Sequence, residues 1–323
     1  MTAARQPVWI DTDMGFDDLA AVLTVAMQPG WEISGMSLVA GNAPLPVVTD
    51  NALRAAHCFG WRFAIHAGCD RPLVGPLVTA QDILGSDAMR SPGRQLPTAR
   101  AALASSDASG ALAAWLAQAA TPSTVLALGP LTNLAVLLQR QPPLAGRIGR
   151  LIWMGGSAGP GNHSAAAEFN AAVDPESVQA VLDHGIALEM VGLDACRQVR
   201  LHAADAQALR ALGTERAEIL ADLLLGYVQI ASPQGTAPMA SYDPTAAAAL
   251  VQPDAMQFRP AHLAVELRGQ HTRGMTVVEW RVPRRAAANA QVASVADEAH
   301  LRETILQALA QAALAPSAAS PSP

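Results

Sequence analysis

The chain has 323 residues, of which 51% are hydrophobic and 15% charged, and its formal net charge is −6 at pH 7. This composition favours a folded domain with a large core and excludes a chain that is disordered throughout. The acidic balance leaves no basic surface for the phosphates of nucleic acid. All 21 basic residues are arginines, which excludes chemistry that needs a lysine amine.

The sequence has no segment suited to a membrane or to secretion. The stretch before Val8 lacks an apolar leader core, and no apolar run approaches the ~18 residues of a membrane span. Three cysteines without C-x-x-C spacing make a disulfide framework or zinc site unexpected. We therefore expect a cytoplasmic protein whose partner is a small molecule, not nucleic acid or a membrane.

Short apolar runs alternate with helix-length segments over the first 200 residues. The predicted strands are residues 8–10, 33–39, 63–67, 124–128, 151–154 and 188–191. The predicted helices are residues 19–27, 47–59 (ended by Gly60), 111–120, 132–139 and 178–183. Such alternation is typical of βαβ units, so the sequence predicts an α/β fold with a mainly parallel central sheet flanked by helices.

The last third of the chain is richer in helix. Helices are predicted at residues 204–212, 215–230, 244–250 and 297–312, and edge strands at residues 263–267 and 275–278. No internal repeat or linker divides the chain. We therefore predict one domain over residues 1–314, followed by a flexible tail over residues 315–323 that is rich in Pro, Ser and Ala.

Four aspartates lie within eight residues directly after the first predicted strand, in the run DTDMGFDD at residues 11–18. Ligands of open α/β sheets gather at the carboxyl ends of the strands. Capping of the following helix accounts for one or two of these carboxylates but not for four. Crowded carboxylates repel one another unless a cation lies among them, so the run predicts a divalent cation site with oxygen ligands.

The run at residues 11–18 resembles the DTDxGxDD signature of the nucleoside hydrolase family, which includes the inosine-uridine preferring hydrolases. It matches that signature at all six specified positions. Further segments resemble family motifs in the same order: Val39-Ala40-Gly41-Asn42, residues 129–133 (GPLTN), residues 154–156 (MGG), Asn162, residues 168–170 (EFN) and Asp243-Pro244. The resemblance implies an open Rossmann-type core over nearly all of the chain.

By this resemblance, the chain hydrolyses the N-glycosidic bond of ribonucleosides to free base and ribose, for purine or pyrimidine salvage. The implied cofactor is Ca²⁺, held by Asp13, Asp18, Asp243 and the backbone carbonyl of Leu128. Asp13 would be the general base that activates a Ca²⁺-bound water, and Asp11 would orient the loop. The family also implies a homodimer or homotetramer.

The resemblance also implies a binding site for the ribose. The residues expected to hold its hydroxyls are Asp17, Asn42, Asn162, Glu168 and Asn170, with Met154 beside the ring. Cleavage of the glycosidic bond builds positive charge on the sugar, and carboxylate and amide oxygens placed around the ring stabilise that charge.

The expected base-binding side departs from the family pattern. Tyr242 stands where the well-studied members have a histidine that helps to protonate the leaving base. It is predicted to act as an acid, to stack on the base or to form a plain wall. Leu84 replaces another family histidine in the flap region 84–89, and Tyr227 is expected to contribute from a helix. His57, His66, His163, His184 and His202 are predicted to be surface or helix residues.

Two other interpretations remain open at the level of the sequence. A haloacid-dehalogenase-like phosphatase would use Asp11 as its nucleophile with Mg²⁺, although it expects a threonine at Gly15 and a lysine that this chain lacks. A non-catalytic nucleoside-binding homologue would explain the altered base side. The presence of Asp13, the expected base, argues against this second alternative.

Overall fold

A nine-stranded sheet forms the centre of the fold in a computed structural model that describes residues 5–316. From one edge to the other its strands are β10 (Thr276–Glu279), β9 (Met256–Val265), β11 (Ala290–Ala296), β6 (Leu188–Val191), β5 (Ile148–Met154), β4 (Ser123–Ala127), β1 (Gln6–Thr12), β2 (Trp31–Leu38) and β3 (Ile65–Ala67). All pairs from β3 to β11 are parallel, while β9 is antiparallel to both β11 and β10. The predicted mainly parallel α/β fold is confirmed.

Helices cover both faces of the sheet. They are α1 (Phe16–Ala26), α2 (Leu45–Phe59), α3 (Gln81–Leu84), α4 (Ala108–Gln118), α5 (Thr132–Arg140), α6 (Phe169–Val173), α7 (Pro175–Asp183), α8 (Leu193–Cys196), α9 (Ala203–Arg210), α10 (Glu215–Ala231), α11 (Asp243–Val251) and α12 (Glu298–Leu314). A small second sheet pairs β7 (Arg200–Leu201) with β8 (Met239–Ala240). No helix among residues 5–316 is both long and apolar enough to cross a membrane.

The side chains of strand β1 alternate between two hydrophobic clusters, one on each face of the sheet. Val8 and Ile10 point into the cluster formed with α1, α2, α10, α11 and α12, whereas Trp9 points into the cluster formed with α4, α5 and α7. Successive side chains of a strand face opposite sides of a sheet. Each fully buried aliphatic side chain of this kind contributes roughly 1.5–3 kcal/mol to folding, so β1 is anchored from both faces.

Local signals set several helix ends. Gly60, with φ of 68°, ends α2 in the left-handed conformation, as the sequence predicts. Asp174 precedes α7 and accepts a hydrogen bond from the Ser177 amide at 3.1 Å, and Thr214 caps α10 in the same way through the Ala217 amide.

One end of the sheet differs from the arrangement predicted from the sequence. Strand β11 was not predicted, because its sequence AQVASVA consists mostly of small residues with weak strand preference. It inserts between β6 and β9. The prediction of residues 263–267 as an edge strand is therefore wrong, since β9 is interior and β10 forms the edge. Of the predicted tail, residues 317–323 lie outside the described residues.

The order of the strands locates a site. From β1 the chain moves to β2 and β3 on one side, and from β4 it moves to β5 and β6 on the other. Ligands of open α/β sheets bind in the crevice at such a reversal, beyond the carboxyl ends of the strands. Here those ends lead into Asp13 after β1 and Leu128 after β4.

Candidate active site

A cavity of about 440 Å³ opens at this carboxyl edge of the sheet. Its lining includes eleven of the twelve predicted site residues, namely Asp13, Asp17, Asn42, Leu128, Met154, Asn162, Glu168, Asn170, Tyr227, Tyr242 and Asp243. The twelfth, Asp18, is buried beneath them and accepts a hydrogen bond from the Asn42 side-chain amide at 3.1 Å. Residues from distant parts of the sequence are thus brought together in one site.

Asp13 lies at the floor of the cavity, 1% exposed. Its Oδ2 accepts a hydrogen bond from the backbone amide of Asn42 at 2.7 Å, and its Oδ1 is buried without a hydrogen-bond partner. A Cβ on Gly41 would collide with this carboxylate, so the glycine permits the close approach. Met14 adopts a left-handed φ of 29°, a conformation that costs energy and often marks functional sites.

Three further carboxylates surround Asp13. Oxygens of Asp17, Asp18 and Asp243 lie within 4.8 Å of one another, because the first turn of α1 meets the start of α11. Asp18 is the most firmly held, since it also accepts a hydrogen bond from the Gly15 amide at 2.8 Å.

Burial and mutual repulsion destabilise the ionised carboxylates of this floor when no cation is bound. Burial, followed by the charge of Asp18, raises the pKa of Asp13 well above its usual value and that of Asp17 to about 7. The same two causes raise the pKa of Asp243 well above its usual value. A hard divalent cation with oxygen ligands relieves both penalties, and the unpartnered Oδ1 of Asp13 gives it a place to bind. The residues present therefore fit a divalent metal ion.

Asp11 lies inside β1 and not on the turn where the sequence analysis placed it, because strand pairing extends through Thr12. Its Oδ1 accepts hydrogen bonds from the Asn133 side chain at 2.7 Å and from Ser37. Burial raises the pKa of Asp11 to about 6. Asp11 thus supports the floor from behind, and Asn133, within a motif that the sequence analysis quoted without a role, is its main partner.

The loop after β5 supplies one wall. The carboxylate of Glu168 caps α6 and accepts hydrogen bonds from the backbone amides of Gly156, Asn170 and Ala171 at 2.8, 2.8 and 3.0 Å. Burial raises the pKa of Glu168 to about 7, although these amides oppose the shift. The Asn170 side chain donates to the carbonyl of Leu128 at 2.8 Å, which leaves that oxygen a second lone pair for a cation.

The mouth of the cavity is more apolar and more exposed than the floor. The hydroxyl of Tyr227 donates a hydrogen bond to the Ala240 carbonyl at 2.8 Å, and Tyr242 is half-buried beside it. Leu84 lines the mouth as the end of the segment 78–84, whereas Ala88 and Met89 are buried outside the lining. Of the expected flap region 84–89, all of which the structure describes, Leu84 is the one residue that lines the cavity. The rest of the segment that faces the cavity, residues 78–83, lies earlier in the chain than the predicted flap.

The mouth has further lining residues that the sequence motifs did not predict: His163, Phe169, Ile230 and Met239. Of these, His163 had been predicted to be an ordinary surface or helix residue because its spacing suits no metal site. Its position directly after Asn162 is the one sequence signal that could have identified it.

A group of carboxylates at a topological switch point, with amide and carboxylate oxygens around the cavity, is typical of an α/β enzyme whose site suits a cation and a polar ligand. The chain belongs to the inosine-uridine preferring nucleoside hydrolase family, whose sequence profile matches residues 8–303.

Named relatives agree with this assignment. The chain is 36% identical over 293 residues to the non-specific ribonucleoside hydrolase RihC of Klebsiella pneumoniae, covering 90% of this chain and 93% of that protein. It is 33% identical over 277 residues to the pyrimidine-specific ribonucleoside hydrolase RihA of Salmonella agona, covering 85% and 88%. The chain is therefore an enzyme, a ribonucleoside hydrolase, and the phosphatase and non-catalytic alternatives are set aside.

Solved structures show the same fold. A purine-preferring ribonucleoside hydrolase from Gardnerella vaginalis superposes with a TM-score of 0.87 at 23% identity, covering 95% of this chain and 99% of that one. An inosine-guanosine nucleoside hydrolase gives 0.84 at 24% identity, covering 96% and 99%.

Proposed function

We propose that this ribonucleoside hydrolase uses Ca²⁺ held by Asp13, Asp18, Asp243 and the carbonyl of Leu128, and that Asp13 is its general base. The observation that carries the proposal is the buried, unpartnered Oδ1 of Asp13, whose carboxylate interacts with the charges of the neighbouring group Asp17, Asp18 and Asp243. When bound, the cation would supply Lewis acidity that lowers the pKa of water and would offer coordination positions to ribose hydroxyls. Three buried aspartates and a backbone carbonyl are oxygen ligands that suit a hard cation better than a soft one.

Asp13 starts the reaction by accepting a proton from the water that attacks C1′ of the ribose. As the bond from C1′ to the base nitrogen breaks, its electron pair leaves with the base and positive charge develops on the sugar ring. Asp17 and Glu168, which border the same cavity, place negative charge beside that ring. Such preorganised charge stabilises the transition state more than the ground state.

The ribose is assigned to the deep half of the cavity. Its hydroxyls are held by Asp17, Asn42, Glu168 and Asn170, with Met154 against the ring, and by Asn162 from the exposed end of the same loop. Asn170 and Glu168 are rigid because each is hydrogen-bonded to the protein backbone. Rigid partners reduce the entropy cost of holding the sugar in a reactive geometry.

The base is assigned to the shallow half, between Tyr242, Tyr227 and the segment 78–84. Relatives named for pyrimidine, purine and non-specific hydrolysis share this fold, so the residues of the mouth determine the choice of base. We assign to the enzyme a role in cytoplasmic nucleoside salvage as a homodimer or homotetramer. Light scattering of the purified protein measures the oligomer.

The direct test is release of ribose from a panel of purine and pyrimidine ribonucleosides, measured with a reducing-sugar assay. We expect release from at least one nucleoside, its loss after treatment with a chelator, and its recovery with Ca²⁺ more than with Mg²⁺ or Zn²⁺. Activity that survives exhaustive chelation, confirmed by elemental analysis, would contradict the role of the metal. Recovery with Zn²⁺ alone would contradict its identity.

A further inference from the structure

One loop connects the floor of the cavity with its mouth. Residues 162–170 change from buried at the floor, where Glu168 and Asn170 lie, to exposed at Asn162 and His163. All four side chains line the cavity. Because the proposed ribose site is at the buried end, the base of a bound nucleoside extends toward the exposed end, where His163 lies.

Hydrogen bonds hold this end of the loop in one conformation. The backbone amides of Asn162, His163 and Ser164 all donate to the carbonyl of Ala167, at 3.2, 3.1 and 3.2 Å. Arg197 donates to the carbonyl of Gly161 at 3.0 Å. The backbone that carries His163 is therefore positioned before substrate binds.

The imidazole of His163 also has a defined neighbour. Its ring meets the ring of Phe169 edge-on, with the centroids 5.7 Å apart and an interplanar angle of 64°. The eight histidines of the chain all fall within residues 5–316, and His163 is the one that lines this cavity.

Departure of a nucleobase is faster when a proton donor lies at the mouth, because the base otherwise leaves as an anion. The polar side chains there are Thr79, Asp82, Asn162, His163, Tyr227 and Tyr242, and an asparagine amide or a threonine hydroxyl is too weak an acid for this role. The hydroxyl of Tyr227 is engaged with the Ala240 carbonyl. At neutral pH an imidazolium ion is a stronger acid than a phenol, so a histidine suits the role of general acid better than a tyrosine.

We infer that His163 is the general acid that protonates the departing base. It takes the role that a histidine fills in the well-studied family members at the position where this chain has Tyr242. This inference rests on the proposed hydrolytic function. As the bond from C1′ to the base nitrogen breaks, its electron pair moves into the base, which takes a proton from the imidazolium of His163. The attacking water bonds to C1′ and loses a proton to Asp13. Return of one proton to His163 and loss of one from Asp13 complete the cycle.

The test compares leaving groups that need a proton with one that does not. His163→Ala and His163→Gln are assayed with inosine, uridine and p-nitrophenyl β-D-ribofuranoside, whose p-nitrophenolate leaves without protonation. We expect kcat for the nucleosides to fall by about 10²-fold, with kcat for the nitrophenyl riboside nearly unchanged. Added imidazole should restore nucleoside hydrolysis in His163→Ala. His57→Ala, an exposed histidine on α2 outside the cavity, is the matched control.

The possible outcomes distinguish a failure of this inference from a failure of the proposed nucleoside hydrolysis. Equal losses on all three substrates would show that His163 only shapes the site, and undiminished nucleoside hydrolysis would show that it is not the acid. Either result overturns the inference while the wild-type enzyme still hydrolyses nucleosides. Failure of the wild type on every substrate would instead contradict the proposed function. Circular dichroism of each variant excludes loss of folding as the cause.

Discussion

The floor and the mouth of the cavity are built in different ways. At the floor, Asp13, Asp18 and Asp243 are at most 3% exposed and lie at the ends of elements anchored in the core. At the mouth, Val78 and Ile83 are 42% and 56% exposed. In the proposed binding mode, the floor faces the ribose that all ribonucleosides share, and the mouth faces the base in which they differ. This division would explain how relatives named for different substrates keep one fold.

The largest expected effect comes from removing the proposed base at the floor. Asp13→Asn keeps the shape of the side chain but removes its ability to accept a proton, so kcat for any nucleoside should fall by about 10³-fold. The thermal midpoint of the metal-free variant should not decrease, because one of four crowded carboxylates has been neutralised.

A steady-state assay and a thermal melt of the same preparation check both parts of this prediction. Asp254→Asn, an exposed aspartate in the turn Pro253–Ala255, is the matched control and should leave kcat and the midpoint unchanged. A variant at Asp13 that retains a tenth or more of wild-type kcat would remove this residue from the mechanism.

The difference between the halves also explains what the sequence could predict. The floor is encoded in short motifs at strand ends, so the run at residues 11–18 and Asp243 predicted its composition. The mouth is assembled from residues such as Ile83, His163 and Met239, which are far apart in sequence and follow no spacing rule. Strand β11 could not be predicted from the sequence for a related reason, because its small residues owe their strand conformation to pairing with β6 and β9.

Among these variants, the largest loss of folding stability is expected at Asn133, which holds Asp11 behind the floor. The side chain of Asn133 donates to Asp11 at 2.7 Å and to the carbonyl of Leu38 at 3.1 Å, and it accepts from the Cys69 amide at 2.8 Å. Asn133→Ala leaves these buried groups without partners, so the free energy of unfolding should fall by about 2–4 kcal/mol.

Chemical denaturation measures this loss. The matched control is Asn289→Ala, because Asn289 also bridges strands through two hydrogen bonds to Leu263 but is only half-buried. It should lose less than half as much stability. Equal losses of unfolding free energy in the two variants would mean that the deeper burial of Asn133 does not increase its contribution to stability.

A smaller effect should appear as a pH dependence of the metal-free protein. Burial raises the folded-state pKa of Asp17 and Glu168 to about 7 and that of Asp11 to about 6, all above the unfolded values. The folded state therefore binds more protons, and the free energy of unfolding falls as the pH rises through these values. Thermal melts in chelator should give a lower midpoint near pH 8 than near pH 5.5, and Ca²⁺ should remove most of the difference. A higher midpoint near pH 8 in chelator would contradict the cost assigned to the acidic floor.

The smallest expected effect lies at the mouth and resolves the open role of Tyr242. Tyr242→Phe keeps the ring and removes the hydroxyl, so it tests the phenol as an acid separately from the ring as a contact for the base. If the ring is what matters, Tyr242→Phe changes kcat only a few-fold, while Tyr242→Ala raises KM by about tenfold, the worth of one aromatic contact. If Tyr242→Phe lowers kcat for nucleosides as far as His163→Ala and spares p-nitrophenyl riboside, the phenol shares the proton transfer. Steady-state kinetics on these substrates therefore decide whether the mouth contributes one acid or two.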